Sequence, residues 1–187
     1  MGFVTTDKTP AVWRGPMASG ALQQLLTQNA WRNVDVLVVD MPPGTGDIQL
    51  TMAQRVPMDG AVIVTTPQDI ALLDARKGIE MFRRVQVPVL GIVENMSTFI
   101  CPECGHAEAI FGEGGGERIA AEYDTKLLGR LPLSLAIREQ SDGGQPPLVA
   151  DPEGEASQAF RQIARAVMER LEADAGKSAP VISIVDD

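Results

Sequence analysis

One stretch, residues 34–47, constrains the fold of this chain more than any other part of the sequence. It reads VDVLVVDMPPGTGD, so an apolar run from Val36 to Val39 ends at Asp40 and leads into two prolines and two glycines. A continuous apolar run rich in β-branched residues is typical of a strand buried on both faces of a parallel sheet. Because open α/β sheets bind ligands beyond the carboxyl ends of their strands, this strand is predicted to deliver Asp40 to a binding site.

A carboxylate followed by a Pro/Gly turn suits a nucleotide site. Asp40 could hold the water shell of Mg²⁺, and the backbone N–H of Gly44, which has no Cβ, could closely approach a terminal phosphate. The spacing Asp40-x-x-x-Gly44 is that of a Walker B strand leading into a phosphate-sensing switch. Asp47 could orient an attacking water. The alternative is that Asp40 only caps the turn and Asp47 only caps the following helix.

Strand-like and helix-like patterns alternate through the remaining sequence. Apolar runs predict buried strands at 61–65 and 89–93, and a further strand is predicted at 126–131. The segments 96–116 and 143–152 are predicted to be loops. Apolar residues at helical spacing predict helices at 18–29, 48–56, 69–85, 117–123 and 160–171. The alternation predicts an α/β fold, a mostly parallel sheet with helices on both faces.

The helix predicted at 69–85 places Ile70, Leu73, Lys77 and Met81 on one face. No repeat and no linker interrupts the alternation. We therefore expect a single domain over residues 1–173, followed by a flexible tail at 174–187. Residues 181–185 of that tail could pair as an edge strand.

The composition excludes several classes of function. The 187-residue chain has a net charge of -9, whereas a nucleic-acid binder needs clustered Lys and Arg to neutralise phosphates. No apolar run reaches the roughly 18 residues that a membrane-spanning helix needs. The N-terminus lacks the basic-then-apolar pattern of a secretory signal, so we expect a cytoplasmic protein that binds neither nucleic acid nor membrane.

The cysteines and the histidine lie close together. The chain has two cysteines and one histidine, and all of them fall within residues 101–106, CPECGH. In a cytosolic protein, Cys101 and Cys104 are better explained as metal ligands or a redox pair than as a structural disulfide. His106 could be a further ligand, although a surface loop histidine is the favoured interpretation.

Six blocks of sequence, in order, resemble one family. They are WRGPM at 13–17, DMPPGTGD at 40–47, TTPQDIALLDARKG at 65–78, GIVENMS at 91–97, CPECGH at 101–106 and LLGRLPL at 127–133. Together they resemble the Mrp/ApbC iron-sulfur cluster carrier proteins, which are deviant P-loop ATPases related to MinD and to the nitrogenase iron protein. The resemblance extends to about residue 173 and implies a P-loop ATPase-like domain.

The resemblance implies roles for individual residues. Asp40 matches the Walker B carboxylate that acts on Mg²⁺ through water, and Gly44, with Asp47 nearby, matches the switch that senses the γ-phosphate of ATP. Asn95 matches the asparagine that recognises adenine, and Pro132 lies in the loop flanking the base. Cys101 and Cys104 match the C-x-x-C whose two copies in a homodimer hold a [4Fe-4S] cluster. The implied partners are apo iron-sulfur proteins, which receive the cluster, and cluster assembly factors.

The chain departs from the family at its front end. Family members carry a phosphate loop with two lysines upstream of the segment that resembles residues 1–17. The pattern G-x-x-x-x-G-K-S/T occurs nowhere in this chain, and the glycine-rich segment 112–116 lacks both the lysine and the hydroxyl residue. The comparison predicts either an N-terminally truncated member or an open reading frame whose start was assigned too late. In both cases this chain lacks the main phosphate cradle and the central strand that carries it.

Ligand counting leaves three interpretations of the C-x-x-C. A tetrahedral metal site or a cubane needs four ligands, so two thiolates would need a second subunit to complete either a cluster or a structural zinc site. A dithiol redox pair is the third interpretation. The alternative function is a non-catalytic, MinD-like interaction module with zinc at the C-x-x-C. An acidic chain end, VDD at 185–187, is unlike the basic amphipathic helix of a membrane-binding relative.

Overall fold

The structure of the chain is a computed structural model, and it describes residues 15–41 and 46–174. The chain forms two compact units, one ending at Pro57 and the other beginning at Met58. Within the described ranges, no helix combines the length and the apolar character that crossing a lipid bilayer requires. Residues 181–185, predicted as a possible edge strand, lie outside the described ranges.

The first unit contains two helices that pack against each other, α1 (Gly15–Thr27) and α2 (Asp47–Arg55). Both were predicted from apolar spacing. Side chains that follow α1 close its C-terminus, because the Asn29 amide and the Trp31 indole N–H donate to the carbonyls of Leu25 and Leu26. Helix α2 buries Met52 and Ala53.

The prediction of a strand at Val36–Val39 is wrong. These residues have irregular backbone, and Val38 is 87% exposed. A strand exists only when neighbouring backbone completes its hydrogen bonds, and no strand within residues 15–41 and 46–174 pairs with this run. Apolar composition alone therefore does not make it a strand, and Asp40 at its end is exposed.

The second unit alternates strands and helices. In chain order its elements are β1 (Ala61–Thr65), α3 (Asp69–Arg84), β2 (Val89–Glu94), β3 (Phe99–Ile100), β4 (Ala107–Glu108), α4 (Gly115–Glu122), β5 (Leu127–Arg130), α5 (Leu135–Asp142), α6 (Pro147–Ala150) and α7 (Glu155–Asp174). Strands β1, β2 and β5 form a parallel sheet in that spatial order. The strands predicted at 61–65, 89–93 and 126–131 are therefore confirmed.

Helices cover both faces of this sheet. On one face, Phe160, Ile163 and Val167 of α7 pack against a buried cluster of Val93, Leu128 and Leu131, together with Val62. On the other face, α3 packs on β1, where Gly78 faces the side chain of Ile63. Because Val62 and Ile63 are neighbours in one strand, their side chains point to opposite faces. The predicted α/β architecture is confirmed.

Helix α3 buries a different face from the predicted one. Its buried residues are Leu72, Ala75, Ile79, Met81 and Phe82. Of the predicted face only Met81 is buried, whereas Ile70 is 74% exposed and Leu73 is 51% exposed. The first turns of this helix carry apolar residues around most of the circumference, so periodicity allows more than one stripe. Packing against β1 selects the stripe that contains Ile79.

Three small elements were predicted as loop. The segment 96–116 contains the antiparallel pair of β3 and β4, and α6 falls within 143–152. Helix α5 was not predicted, because it buries none of its residues and so has no apolar stripe to detect. An ion pair between Arg138 and Asp142, one helical turn apart, supports it.

Candidate functional site: the carboxyl edge of the sheet and the cysteine hairpin

The carboxyl ends of β2 and β5 form the centre of the site. Asn95 follows β2 directly, and its backbone N–H donates to the carbonyl of Thr65 at the end of β1, at 2.7 Å. Its side-chain Oδ1 accepts the N–H of Met96 at 2.9 Å. Met96 has a φ of 54°. This left-handed residue turns the chain just beyond the sheet, which leaves Asn95 at the sheet edge.

Pro132 is brought to the same edge by an extension of the parallel pairing. The N–H of Leu131 donates to the carbonyl of Glu94, and the N–H of Ser97 donates back to Leu131, at 2.9 and 3.0 Å. The N–H of Leu133 then donates to the carbonyl of Thr98 at 2.9 Å. Pro132 has no N–H and fits between two residues that do donate. The segments after β2 and β5 therefore run side by side.

Both cysteines lie in a hairpin that grows from this strand pair. Phe99 of β3 forms a bridge with Leu133, and β3 pairs with β4 on either side of residues 101–106. The turn is closed by the Cys101 N–H donating to the carbonyl of His106 and by the Gly105 N–H donating to the carbonyl of Cys101, each at 2.9 Å. Gly105 has a φ of 70°, a conformation that glycine adopts without strain.

The turn directs hydrogen-bond donors at the sulfur of Cys101. The backbone N–H of Cys104 is the main cause of a lowered pKa of the Cys101 thiol, followed by the N–H of Glu103 and the side chain of Cys104. Hydrogen bonds to the charged form favour that form, so the turn favours a thiolate, which is the form of cysteine that binds metal. Cys101 is half-buried and Cys104 is exposed.

One chain contributes only part of a metal centre. In the part of the chain that the structure describes, no group of three or more His, Cys, Asp or Glu side chains could hold a metal ion. The hairpin has its two thiols and an exposed imidazole at His106. His106 takes part in the turn through its backbone carbonyl, and its role as a further ligand stays a prediction.

A buried carboxylate, whose role was not predicted, lies beneath this edge. Glu94, the last residue of β2, is 1% exposed. Its Oε2 accepts the N–H of Gly116 at 2.6 Å, and its Oε1 accepts the Nε–H of Arg130 at 3.2 Å. The signal that could have found it is an acidic residue inside an apolar strand, followed downstream by a glycine run and an arginine at the end of the next strand.

The glycine run at 112–116 has a packing role. A Cβ on Gly115 would lie 2.9 Å from backbone atoms of Pro67, and a Cβ on Gly116 would lie 3.0 Å from the Cβ of Glu94. Both distances are tighter than ordinary contacts, so glycine allows the start of α4 to approach the sheet. This agrees with the conclusion from sequence that the run is not a phosphate loop.

Comparison with known proteins decides the family. The family model described as ParA, NUBPL iron-transfer P-loop NTPase, matches residues 1–168. The chain belongs to this family of P-loop NTPases. It is 62% identical over 164 residues to an iron-sulfur cluster carrier protein of Pseudomonas fragi, covering 88% of this chain and 57% of that protein. It is 57% identical over 171 residues to the protein of the same name from Escherichia coli K12, covering 91% and 46%.

A eukaryotic relative is similar at a comparable level. The chain is 53% identical over 171 residues to the iron-sulfur cluster transfer protein NUBPL of Mus musculus, covering 91% of this chain and 54% of that protein. The chain thus spans about half the length of these curated relatives.

Solved structures agree with the assignment. A nucleotide-binding protein from Archaeoglobus fulgidus, in complex with ADP and with Co, is 37% identical, with a TM-score of 0.65, covering 76% of this chain and 57% of that chain. MinD from Aquifex aeolicus, at 22% identity and a TM-score of 0.57, covers 92% of this chain and 65% of that chain and shares the fold.

The remaining predicted residues of this P-loop NTPase lie in the first unit. Asp40 is exposed at the end of the irregular run, and Gly44 falls in the segment 42–45, outside the described ranges. Asp47 is the first residue of α2, and the cap position of that helix is Gly46. The roles of Asp40, Gly44 and Asp47 in nucleotide chemistry stay predictions.

Proposed function

We propose that this chain carries an iron-sulfur cluster and passes it to apo iron-sulfur proteins, with Cys101 and Cys104 as the cluster ligands. The observation that supports the proposal best is the turn at residues 101–106, whose N–H groups point at the Cys101 sulfur and favour its thiolate. Hydrogen bonds to coordinating sulfurs are a general feature of iron-sulfur sites. The names of the curated relatives agree with this function.

The cluster is proposed to be a [4Fe-4S] cluster held between two copies of the chain. A cubane takes four thiolates, and each chain offers two on one exposed hairpin. A two-fold axis through the cluster would bring two hairpins together, so that each pair of thiolates completes the other. The proposed assembly is therefore a homodimer whose site is incomplete in either subunit alone.

Release of such a cluster is a ligand exchange. Each iron–thiolate bond to Cys101 or Cys104 is replaced by a bond to a thiolate of the acceptor, and the freed cysteine takes up a proton. No oxidation or reduction is required. The exposure of Cys104 gives an incoming thiolate access to the cluster edge, and cluster assembly factors would load the site by the reverse exchange.

We propose that ATP state regulates the cluster site. Asn95 and Pro132 would recognise adenine at the carboxyl edge of the sheet, Asp40 would hold Mg²⁺ through water, and Gly44 would sense the γ-phosphate while Asp47 orients the attacking water. The ADP named for the Archaeoglobus fulgidus protein supports nucleotide binding by this fold. The hairpin with Cys101 and Cys104 continues from the segments that carry Asn95 and Pro132, which offers a short connection between the two sites.

The test is metal content together with native mass. Chain purified without oxygen should contain about four iron and four acid-labile sulfide per dimer and should transfer them to an apo-ferredoxin. Cys101→Ala and Cys104→Ala should lose iron, sulfide and transfer, whereas His106→Ala, in the same turn, should keep them.

Two results would contradict the proposal. Unchanged cluster content in Cys104→Ala would show that the assignment of the cysteines as cluster ligands is wrong. Stoichiometric zinc without sulfide, unaffected by anaerobic handling, would instead favour a MinD-like interaction module with structural zinc at the C-x-x-C.

A further inference from the structure

The buried Glu94 carboxylate connects three elements of the second unit. Only 2% of its side chain is exposed, yet both carboxylate oxygens have donors. One donor is the N–H of Gly116 in the first turn of α4, and the other is the guanidinium of Arg130 at the end of β5. The backbone of Glu94 pairs with Thr65 of β1. The end of β5 and the start of α4 therefore meet at the side chain of Glu94, and the end of β1 pairs with its backbone.

Arg130 links this carboxylate to the surface. Its Nη2 lies 2.6 Å from Oε1 of Glu117, the acidic residue in the first turn of α4, while its Nε donates to Glu94. One guanidinium therefore holds the end of β5 both to the end of β2, at Glu94, and to the first turn of α4, at Glu117. The planar, forked guanidinium makes both bonds at fixed angles, which a lysine ammonium does not reproduce.

The pair adjoins the residues assigned to nucleotide recognition. Asn95 follows Glu94 directly, and Pro132 is two residues beyond Arg130. The backbone bonds between these segments continue outward through Leu131, Ser97 and Leu133 to the hairpin of β3 and β4. A shift of Glu94 against Arg130 would therefore change the alignment of both segments and of the hairpin beyond them.

We propose that the Glu94–Arg130 pair is a positioning device that fixes the alignment of Asn95 with Pro132 and, through it, the placement of the cysteine hairpin. The inference rests on the proposed function, which assigns ligand contacts to those residues. In this proposal Glu94 and Arg130 act through Asn95, Pro132 and the hairpin. The effect depends on the burial of Glu94, because a carboxylate in an apolar environment must keep its hydrogen-bond donors and therefore fixes the position of the groups that donate to it.

Glu94→Gln tests the proposal with little change of shape. The amide has no charge, and if its oxygen stays on the Gly116 N–H, its N–H₂ group faces Arg130, where a donor meets a donor. Glu122→Gln is the matched control, because the Arg76–Glu122 pair is likewise an Arg–Glu ion pair, here bidentate at 2.9–3.0 Å, but lies on the surface between α3 and α4. Arg130→Gln and Arg130→Lys complete the set. Arg130→Gln should behave like Glu94→Gln, whereas Arg130→Lys, which keeps the positive charge, should retain part of the behaviour of the unsubstituted chain.

Hydrogen exchange is the first measurement. In the full chain, well below its unfolding temperature, Glu94→Gln should raise the exchange rates of the Ser97, Leu133 and Gly105 amides by about tenfold, while amides of α7 stay unchanged. Glu122→Gln should leave all of them unchanged. A uniform increase that includes α7 would show that the pair only adds to global stability, and no increase would show that it positions nothing. Either result overturns the inference.

Cobalt(II) binding is the second measurement, and it separates this inference from the proposed function. The thiolate-to-Co²⁺ absorption of the reduced chain should weaken in Glu94→Gln, with affinity lower by at least about threefold, and should remain in Glu122→Gln. Equal affinity and spectra in the two variants would overturn the connection to the hairpin. If the unsubstituted chain gives no thiolate band, the assignment of Cys101 and Cys104 fails, while the exchange rates of Ser97 and Leu133 still decide whether the pair positions the two segments.

Discussion

The backbone N–H of Cys104 donates a hydrogen bond to the sulfur of Cys101 and is the main cause of the lowered pKa of that thiol. The two cysteines are thus related by more than their spacing, because the second residue stabilises the thiolate of the first. A turn that favours the charged sulfur before any metal arrives reduces the proton competition that metal binding must overcome.

The lowered pKa of the Cys101 thiol predicts how the rate of its alkylation depends on pH. In Cys104→Ala, which keeps the backbone donor, alkylation of Cys101 by iodoacetamide should remain fast at pH values where an ordinary thiol is already slow. The rate should fall only as pH drops through the lowered folded-state value, and the profile should move to higher pH in urea. The pH dependence of the alkylation rate, followed by mass spectrometry, checks this. Identical profiles in buffer and urea would contradict it.

The face of α3 that packs against the sheet can be tested with two isoleucines in one helix. Ile79 is 0% exposed and Ile70 is 74% exposed. Ile79→Ala should lower the free energy of unfolding by about 2–5 kcal/mol, because it removes buried methylenes and leaves a cavity. Ile70→Ala should change it by less than about 0.5 kcal/mol. Urea unfolding measures both, and a larger loss for Ile70→Ala would favour the face predicted from sequence.

Because α7 packs closely on β5, we predict that Gly129 does not tolerate a larger side chain. A Cβ there would lie 2.5 Å from Cγ1 of Ile163. Gly129→Ala should therefore destabilise the fold by roughly 1–3 kcal/mol, and Ile163→Val in the same chain should not recover all of that loss. Gly20→Ala in α1 is the control, since nothing lies within 4 Å of its added methyl, and it should be neutral or stabilising. Thermal unfolding midpoints that shift equally for both variants would refute the packing argument.

The ion pair between Arg76 of α3 and Glu122 of α4 predicts a shifted titration of the Glu122 carboxyl. The side-chain hydrogen bond from Arg76 is the main cause of a lowered pKa of the Glu122 carboxyl. Its contribution to stability is present above the unfolded-state pKa and is lost as pH falls through the lowered folded-state value. An NMR titration of the Glu122 carboxyl carbon should therefore have its midpoint below that of a free glutamate, and Arg76→Gln should return it to the ordinary range. An unchanged midpoint in Arg76→Gln would assign the shift to another cause.

Much of the second unit follows from local sequence. The apolar runs of β1, β2 and β5 and the stripe of α7 predict their elements, because the side-chain period of each matches the face it buries. The placement of Asn95 and the cysteines also follows, since residues after parallel strands meet at one edge. Helix α5 and the hairpin strands were missed because they bury little and show no period.

Other features depend on contacts between distant segments. Val36–Val39 has the composition of a buried strand but no partner among the described residues, and Ile70 has the spacing of a core residue but is exposed. The role of Glu94 depends on Gly116 and Arg130, which lie far from it in sequence and meet it only after the sheet forms.

The family, the alternation of strands and helices and the C-x-x-C that predicts two sulfur ligands could all be read from the sequence, because they depend on residue types at short spacings. The folded structure was needed to show which face of α3 is buried, why residues 112–116 are rich in glycine, and which donors hold the buried Glu94. Those outcomes depend on which surfaces exclude water from each other, and that is settled by packing between segments rather than by the pattern within any one of them.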